Sequence, residues 1–366
     1  MTADAVGGVW TYSLALARGL GARGIGTILA VMGPRPSPAQ RAAARAIDGL
    51  VLLEADYRLE WMDDAAADVE QAGAWLLALD RQYAPDIVHL NGYAHGAQEW
   101  SAPCLIVAHS CVASWWSAVK RTPLPDEGND YLLHVHRGIA GADLVVAPTR
   151  AFGETLRHIH GVDAEVRVIP NGRDPTSFAP DFKQPFVLAA GRAWDEAKNI
   201  ATLDRAAPDL RWPVFLAGPL SAPERREFAP KHLRPLGFLD ETSLGEAMGR
   251  ASIFVSLARY EPFGLAVLEA ALSGCALVLS DIPTHRELWN ECAIFVPPDD
   301  AANLVAAVNE LCRNRDRLRA QGKRAWRRAQ RYSVDRMVAA YAAAYAELAH
   351  RPSARRGSVR LAATSR

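Results

Sequence analysis

The chain has 366 residues, half of them hydrophobic and 22% charged, which is ample for two globular cores. Lys+Arg and Asp+Glu both number 41, so the formal net charge of zero lacks the basic excess of a nucleic-acid binder. No apolar run reaches the roughly 18 residues of a membrane-spanning helix and no signal-peptide pattern opens the sequence, so a cytoplasmic protein is expected, with peripheral contact at the inner membrane face left open.

Only Met1-Thr2-Ala3-Asp4 and two further residues precede Gly7-Gly8, and a helix over 9–19 follows. A doubly wound domain places its central strand before such a glycine turn. The first strand is therefore expected to be missing and the true start to lie upstream. Short apolar runs then alternate with helical stretches. They predict strands at 27–31, 50–54, 86–90, 105–108, 144–147 and 166–169 in the first half of the chain. In the second half the runs fall at 186–190, 214–217, 233–236, 253–257, 276–279 and 293–296. The runs are continuously apolar rather than alternating, which suits parallel strands covered on both faces. Two such sets predict an α/β protein of two Rossmann-like domains, at 1–172 and 173–332. A linker around 172–185 holds Pro175, Pro180 and Pro185. Helices are expected from about 301 to 331. Ser333 then caps a last helix, 333–350, expected to cross back to the first domain. The tail, 351–366, carries five arginines and no acid and reads as disordered.

Two segments of the second half carry chemistry. Tyr260-Glu261-Pro262-Phe263-Gly264-Leu265-Ala266 follows one predicted strand and opens a helix near Gly264. Free N–H groups and a positive dipole end make that terminus suited to phosphate. Glu269 is the only charge between Glu261 and Asp281, so its carboxylate needs a partner: a pair of sugar hydroxyls, an arginine or a loop. Gly191-Arg192, with Lys198-Asn199 further on, follows the first strand of the second domain. There Arg192 and Lys198 offer the two positive charges that a diphosphate leaving group requires.

These segments together resemble the retaining glycosyltransferases of family 4, which have the GT-B fold, two Rossmann-like domains facing a cleft. The resemblance implies that Glu261 contacts the transferred sugar and Glu269 the donor ribose. It also implies that the amides of Gly264, Leu265 and Ala266 hold phosphate or sugar, and that Arg192 and Lys198 bind the diphosphate. Gly7 and Gly8, with Val9-Trp10, match the family's glycine loop, His109 its cleft histidine, and Pro170-Asn171-Gly172 the end of its first domain. The donor is then a nucleotide-diphosphate sugar, with no cofactor and no metal. The acceptor is an unknown saccharide, lipid-linked or small molecule. By the same resemblance the reaction retains configuration through same-face attack, the leaving phosphate taking the acceptor's proton and His109 orienting the sugar. The cleft is expected to close, bringing His109 toward Glu261.

The remaining candidates are weaker. The five cysteines (104, 111, 275, 292 and 312) have no metal-type spacing, and neither Asp63-Asp64 nor Asp299-Asp300 suits a diphosphate-bound cation. His134 and His136 point to different faces of one predicted helix. Trp115-Trp116 with Lys120 and Arg121 reads either as an acceptor or lipid platform or as core packing beside a solvated turn. The basic run 323–328 reads as a solvated helix face. Two other functions fit the same fold: a nucleotide-sugar epimerase, which needs no acceptor, and a non-catalytic nucleotide-sugar binding module.

Overall fold

The computed structural model describes residues 1–125, 130–161, 166–221 and 228–350. The arginine-rich tail, 351–366, lies outside the described residues.

The first domain is built on parallel strands β1 (Thr2–Asp4), β2 (Thr27–Met32), β3 (Leu50–Glu54), β4 (Val88–Leu90), β5 (Cys104–Val107), β6 (Leu144–Ala147) and β7 (Val166–Val168). They form two ladders, β1-β2-β3 and β4-β5-β6-β7. Asn91, just after β4, joins them: its backbone N–H donates to Thr2 Oγ1 (2.9 Å) and its side-chain amide to the Thr2 carbonyl (2.7 Å). The resulting order runs 3-2-1-4-5-6-7, so the chain reverses direction across the sheet between β1 and β4.

The expected loss of the first strand does not occur. Thr2, Ala3 and Asp4 pair in parallel with Ala30, Val31 and Met32. Three residues serve as a central strand because β2 supplies one ladder and Asn91 ties the other edge. With Thr2 the single β-branched residue, no apolar run marks the strand in the sequence.

The second domain holds β8 (Gln184–Ala190), β9 (Val214–Ala217), β10 (Arg234–Gly237), β11 (Ala251–Ser256), β12 (Ala276–Ser280) and β13 (Ala293–Val296), in the order β10-β9-β8-β11-β12-β13. Its continuous apolar strands are covered on both sides. Phe254, Leu277 and Leu279 enter one core, while Ile253, Val255 and Val278 enter the other. The direction reverses between β8 and β11, the place where open α/β sheets bind ligands.

The first-domain helices are α1 (Gly8–Gly21), α2 (Pro38–Arg45), α3 (Ala66–Tyr83), α4 (Val112–Lys120), α5 (Asp130–Gly141) and α6 (Arg150–His160). The second-domain helices are α7 (Ile200–Ala206), α8 (Glu241–Arg250), α9 (Leu265–Leu272), α10 (Pro283–Trp289), α11 (Ala301–Arg313) and α12 (Arg315–Ala329). The stretch expected as helix over 301–331 is thus two helices, broken at Asn314, whose side chain accepts from Arg317 N. The last helix, α13 (Val334–His350), packs on α1. Its Tyr341 and Leu348 share a core with Tyr12, Leu16 and Leu105, so the chain ends its described course on the first domain. The segment read as a linker is packed rather than loose. Phe178 is buried in the second-domain core and Pro180 lies against Gly274.

Candidate active site

The loop after β8 and the loop after β11 meet at the switch point of the second sheet. Lys198, at the end of a short 3-10 turn, places Nζ 2.5 Å from Glu261 Oε2. Arg192 pairs with Asp195 at 2.9 Å and lies over the Trp194 ring. Burial alone would push the Asp195 carboxyl up, but Arg192 and Lys198 outweigh it and hold the group below its ordinary value. Two cations and two carboxylates therefore alternate along one wall of the cleft.

Gly264 caps α9 with φ +86°, a backbone open to glycine at little cost. Its carbonyl accepts from the Val267 and Leu268 amides, so the first helical bonds start beyond Leu265 and Ala266. The N–H groups of the first turn are the ones that a helix leaves outside its own ladder. The Glu261 loop is held from below by Thr284, whose hydroxyl donates to the Glu261 carbonyl (2.7 Å).

The glycine turn of the first domain faces this wall. A β-carbon added at Gly7 would sit 3.5 Å from Arg192 Nη1, and one at Gly8 would sit 3.5 Å from Leu265 Cδ1. The turn thus stands within ordinary van der Waals reach of Arg192 and Leu265, and it is the φ of +79° at Gly7, not lack of space, that favours glycine there. Asp4, at the end of β1, also stands at this face; burial raises its carboxyl to about 6 despite the Val6 amide and the Arg192 charge. Sequence reasoning passed over Asp4 because no strand was expected there.

His109 follows β5 and donates or accepts through Nε2 at 2.8 Å from Asn91 Oδ1. The same oxygen lies 3.1 Å from His89 Nε2. Since the Asn91 amide nitrogen is committed to Thr2 and Ser13, its oxygen is the acceptor, and both imidazoles present Nε2–H to it. Burial lowers His109 to about 3, so its ring is neutral at ordinary pH and has Nδ1 as its acceptor. Tyr12 packs edge-on against the His109 ring, with centroids 4.5 Å apart. Asn91 and Tyr12 are functional candidates that the sequence reading missed. The Leu90-Asn91-Gly92 strand end was the available signal for Asn91.

Two further sequence candidates are buried. Asn171 lies at the crossover between the domains, buried, with Oδ1 unpartnered among the described residues. Glu269 is buried on α9, and its partner is an arginine: Arg173 Nε lies 2.8 Å from Glu269 Oε1.

Around the cleft the domains already touch. The Tyr260 hydroxyl accepts from Cys111 N–H (3.0 Å) and lies 2.8 Å from Ser114 Oγ, at the start of α4. Glu287 accepts from the Arg150 and Ala151 amides, capping α6 from the other domain. Trp115 and its neighbours also belong here and correct both sequence readings. Trp115 Nε1 lies 3.3 Å from Asp195 Oδ1, Lys120 pairs with Glu196 at 2.7 Å and Arg121 with Asp299 at 2.6 Å. This helix is a strut between domains rather than a platform or core filler. Among the described residues no group of three or more His, Cys, Asp or Glu is placed to hold a metal ion, and no helix is long and apolar enough to cross a membrane.

Residues 6–177 match the family model described as Glycosyltransferase Family 4, and residues 184–314 match the model described as Glycosyl transferases group 1. The chain belongs to these glycosyltransferases. The glycosyltransferase is 28% identical over 263 residues to glycogen synthase of Mycobacterium tuberculosis, covering 64% of this chain and 62% of that protein. It is 33% identical over 170 residues to phosphatidyl-myo-inositol mannosyltransferase of Mycolicibacterium smegmatis, covering 42% of this chain and 44% of that protein. The chain thus aligns with less than two thirds of the length of these curated relatives. Among solved structures, sucrose-phosphate synthase of Thermosynechococcus elongatus superposes with a TM-score of 0.79 at 20% identity, covering 95% of both chains. Anabaena HepE in complex with UDP-glucose superposes at 0.73 and 16% identity, covering 95% of this chain and 100% of that one. These likenesses establish the GT-B fold for the glycosyltransferase.

Proposed function

We propose that this glycosyltransferase moves a hexose from a nucleoside-diphosphate sugar to an acceptor hydroxyl with retention of configuration and without a metal ion. The observation that carries the reading is the placement of Arg192 and Lys198 at the β8/β11 switch point, beside the α9 N-terminus and facing the Gly7-Gly8 turn. Breaking the glycosyl–phosphate bond puts negative charge on the leaving diphosphate. Arg192, Lys198 and the α9 amides stabilise that charge in place of a divalent cation, each contact contributing about 2.7–4 kcal/mol by analogy with an oxyanion donor. Glu261 binds hydroxyls of the transferred sugar once the diphosphate takes Lys198 from it. Glu269 binds the donor ribose. A neutral His109 orients the sugar as a hydrogen-bond acceptor and is no source of a proton. The leaving phosphate accepts the acceptor's proton as the acceptor attacks from the same face. The product belongs to polysaccharide, glycolipid or glycoside assembly.

The test is turnover of UDP-, GDP-, ADP- and dTDP-hexoses, UDP-sugars first, with EDTA present. Release of nucleoside diphosphate, reduced about 10²–10³-fold by Lys198→Ala, supports the reading. Conversion of the donor into an isomeric nucleotide sugar without acceptor would identify an epimerase instead. Binding with no turnover of any donor, across saccharide and lipid-linked acceptors, would leave a binding module.

A further inference from the structure

Among the described residues of the second domain, Arg173 is the buried cation that the donor chemistry described above does not use. Its backbone is fixed where the chain passes between domains. The Arg173 amide donates to the Tyr332 carbonyl (3.0 Å), and Arg173 forms a bridge with Ser333, where the chain passes back. A β-carbon at the preceding Gly172 would sit 2.4 Å from the Ser333 carbonyl oxygen, so the two crossings pack backbone to backbone. The side chain, 8% exposed, reaches into the second domain. Its guanidinium lies 4.8 Å from the Phe178 ring centroid, with Nη2 3.1 Å from Glu241 and Nε 2.8 Å from Glu269 Oε1.

We propose that Arg173 is a positioning residue for donor binding. It holds one oxygen of Glu269, leaves Oε2 for the ribose hydroxyls, and so ties ribose recognition to the interdomain crossover. This rests on the reading that Glu269 binds ribose.

The charges that face Glu269 support the assignment. Burial raises its carboxyl, Arg173 on the crossover opposes that rise, and Glu241 on α8 adds to it. Arg18 on α1 reaches Glu241 in turn and moderates its charge. Arg173 is thus the cation that opposes the effect of burial and favours the charged form of the carboxylate, the better ribose acceptor. A buried arginine held by two carboxylates and an aromatic ring has little freedom to leave, so the geometry persists through the donor's arrival and departure.

The experiment compares binding of the preferred nucleoside diphosphate with binding of its 2′,3′-dideoxy analogue, by calorimetry, in wild type, Arg173→Met and Arg173→Lys. Wild type is expected to prefer the ribo form by about tenfold or more, the scale of losing hydrogen bonds to a charged group. Arg173→Met is expected to lose that preference, with affinity for the ribo form falling more steeply than in wild type as pH is lowered. Arg173→Lys is expected to keep part of the preference, and it carries the test if the Met variant does not fold. A folded variant that keeps the full ribo preference would overturn the role of Arg173 while leaving Glu269 as the ribose ligand. A wild type that binds both forms equally, yet still binds nucleoside diphosphate, would remove the ribose reading of Glu269 and the proposal with it.

Discussion

Lys198 Nζ stands 2.5 Å from Glu261 Oε2, so a residue assigned to the diphosphate and one assigned to the sugar are each other's counter-ion. Phosphate binding at Lys198 therefore has to displace a carboxylate, and the displaced carboxylate is then free for the sugar.

From that exchange, Glu261→Gln should bind nucleoside diphosphate more tightly than wild type while transferring sugar about 10²–10³-fold more slowly. Calorimetry with the diphosphate alone, set beside turnover of the full donor, separates the two effects. Equal loss of both would mean that Glu261 supports the loop rather than the sugar.

Tyr260 is a polar tie between the domains near the cleft. Its hydroxyl serves the Cys111 amide and Ser114, and burial pushes the phenol well above its ordinary value, so it stays neutral. Tyr260→Phe leaves a buried amide without its acceptor, at a cost of about 1–3 kcal/mol. The expected outcome is a lower melting temperature, a larger radius of gyration in solution scattering and a lower kcat. Affinity for nucleoside diphosphate should hold, since the charged donor contacts all lie on the second domain.

The ion pairs on the α4 strut should behave differently. Lys120 and Glu196 have side chains 34% and 57% exposed, and Arg121 is 74% exposed. Solvent screens such pairs, so Lys120→Ala and Arg121→Ala should each change stability by less than about 1 kcal/mol. Chemical denaturation at low and moderate salt checks this directly.

His89 and His109 give the fold a defined acid sensitivity. Burial lowers both to about 3, well under the ordinary histidine value, and His89 also feels the N-terminal charge. Between about pH 6.5 and pH 3 the unfolded chain binds more protons than the native one. Stability is therefore full above that window and is lost as pH falls through it. His89→Gln should flatten the decline in the denaturation midpoint. In the donor reaction, pH–rate profiles should show no limb near pH 6–7 from His109.

Much of this was legible in the sequence because buried parallel strands leave continuous apolar runs. All twelve expected strands are present, four of them at the expected residues, including 144–147 and 293–296. The central strand Thr2–Asp4 was hidden because its stability comes from Met32, Val31 and Ala30 on one side and Asn91 on the other, not from its own composition. Charge pointed to Arg192, Lys198 and Glu269, and the family resemblance to Glu261, but neither showed which charges meet. The Glu269 carboxylate was expected to need a partner, yet Arg173 lies 96 positions away in the chain, and only the crossover brings it there. Trp115 failed for a related reason. An amphipathic helix looks the same in sequence whether its polar edge meets water or, as here, Asp195 of the other domain.

The donor site is tested most directly by thermal shift with UDP, GDP, ADP and dTDP on wild type, Arg192→Ala and Lys198→Ala. These side chains are part-exposed, so the substitutions spare the buried Arg173–Glu269 pair, whose disruption would itself cost about 3–5 kcal/mol. A ligand at 100 times its Kd adds about 2.7 kcal/mol of stability. One nucleotide raising the melting temperature of wild type, and failing to do so in both variants, is the predicted result. No rise with any of the four, in a protein that melts cooperatively, would contradict a nucleoside-diphosphate site between β8 and β11.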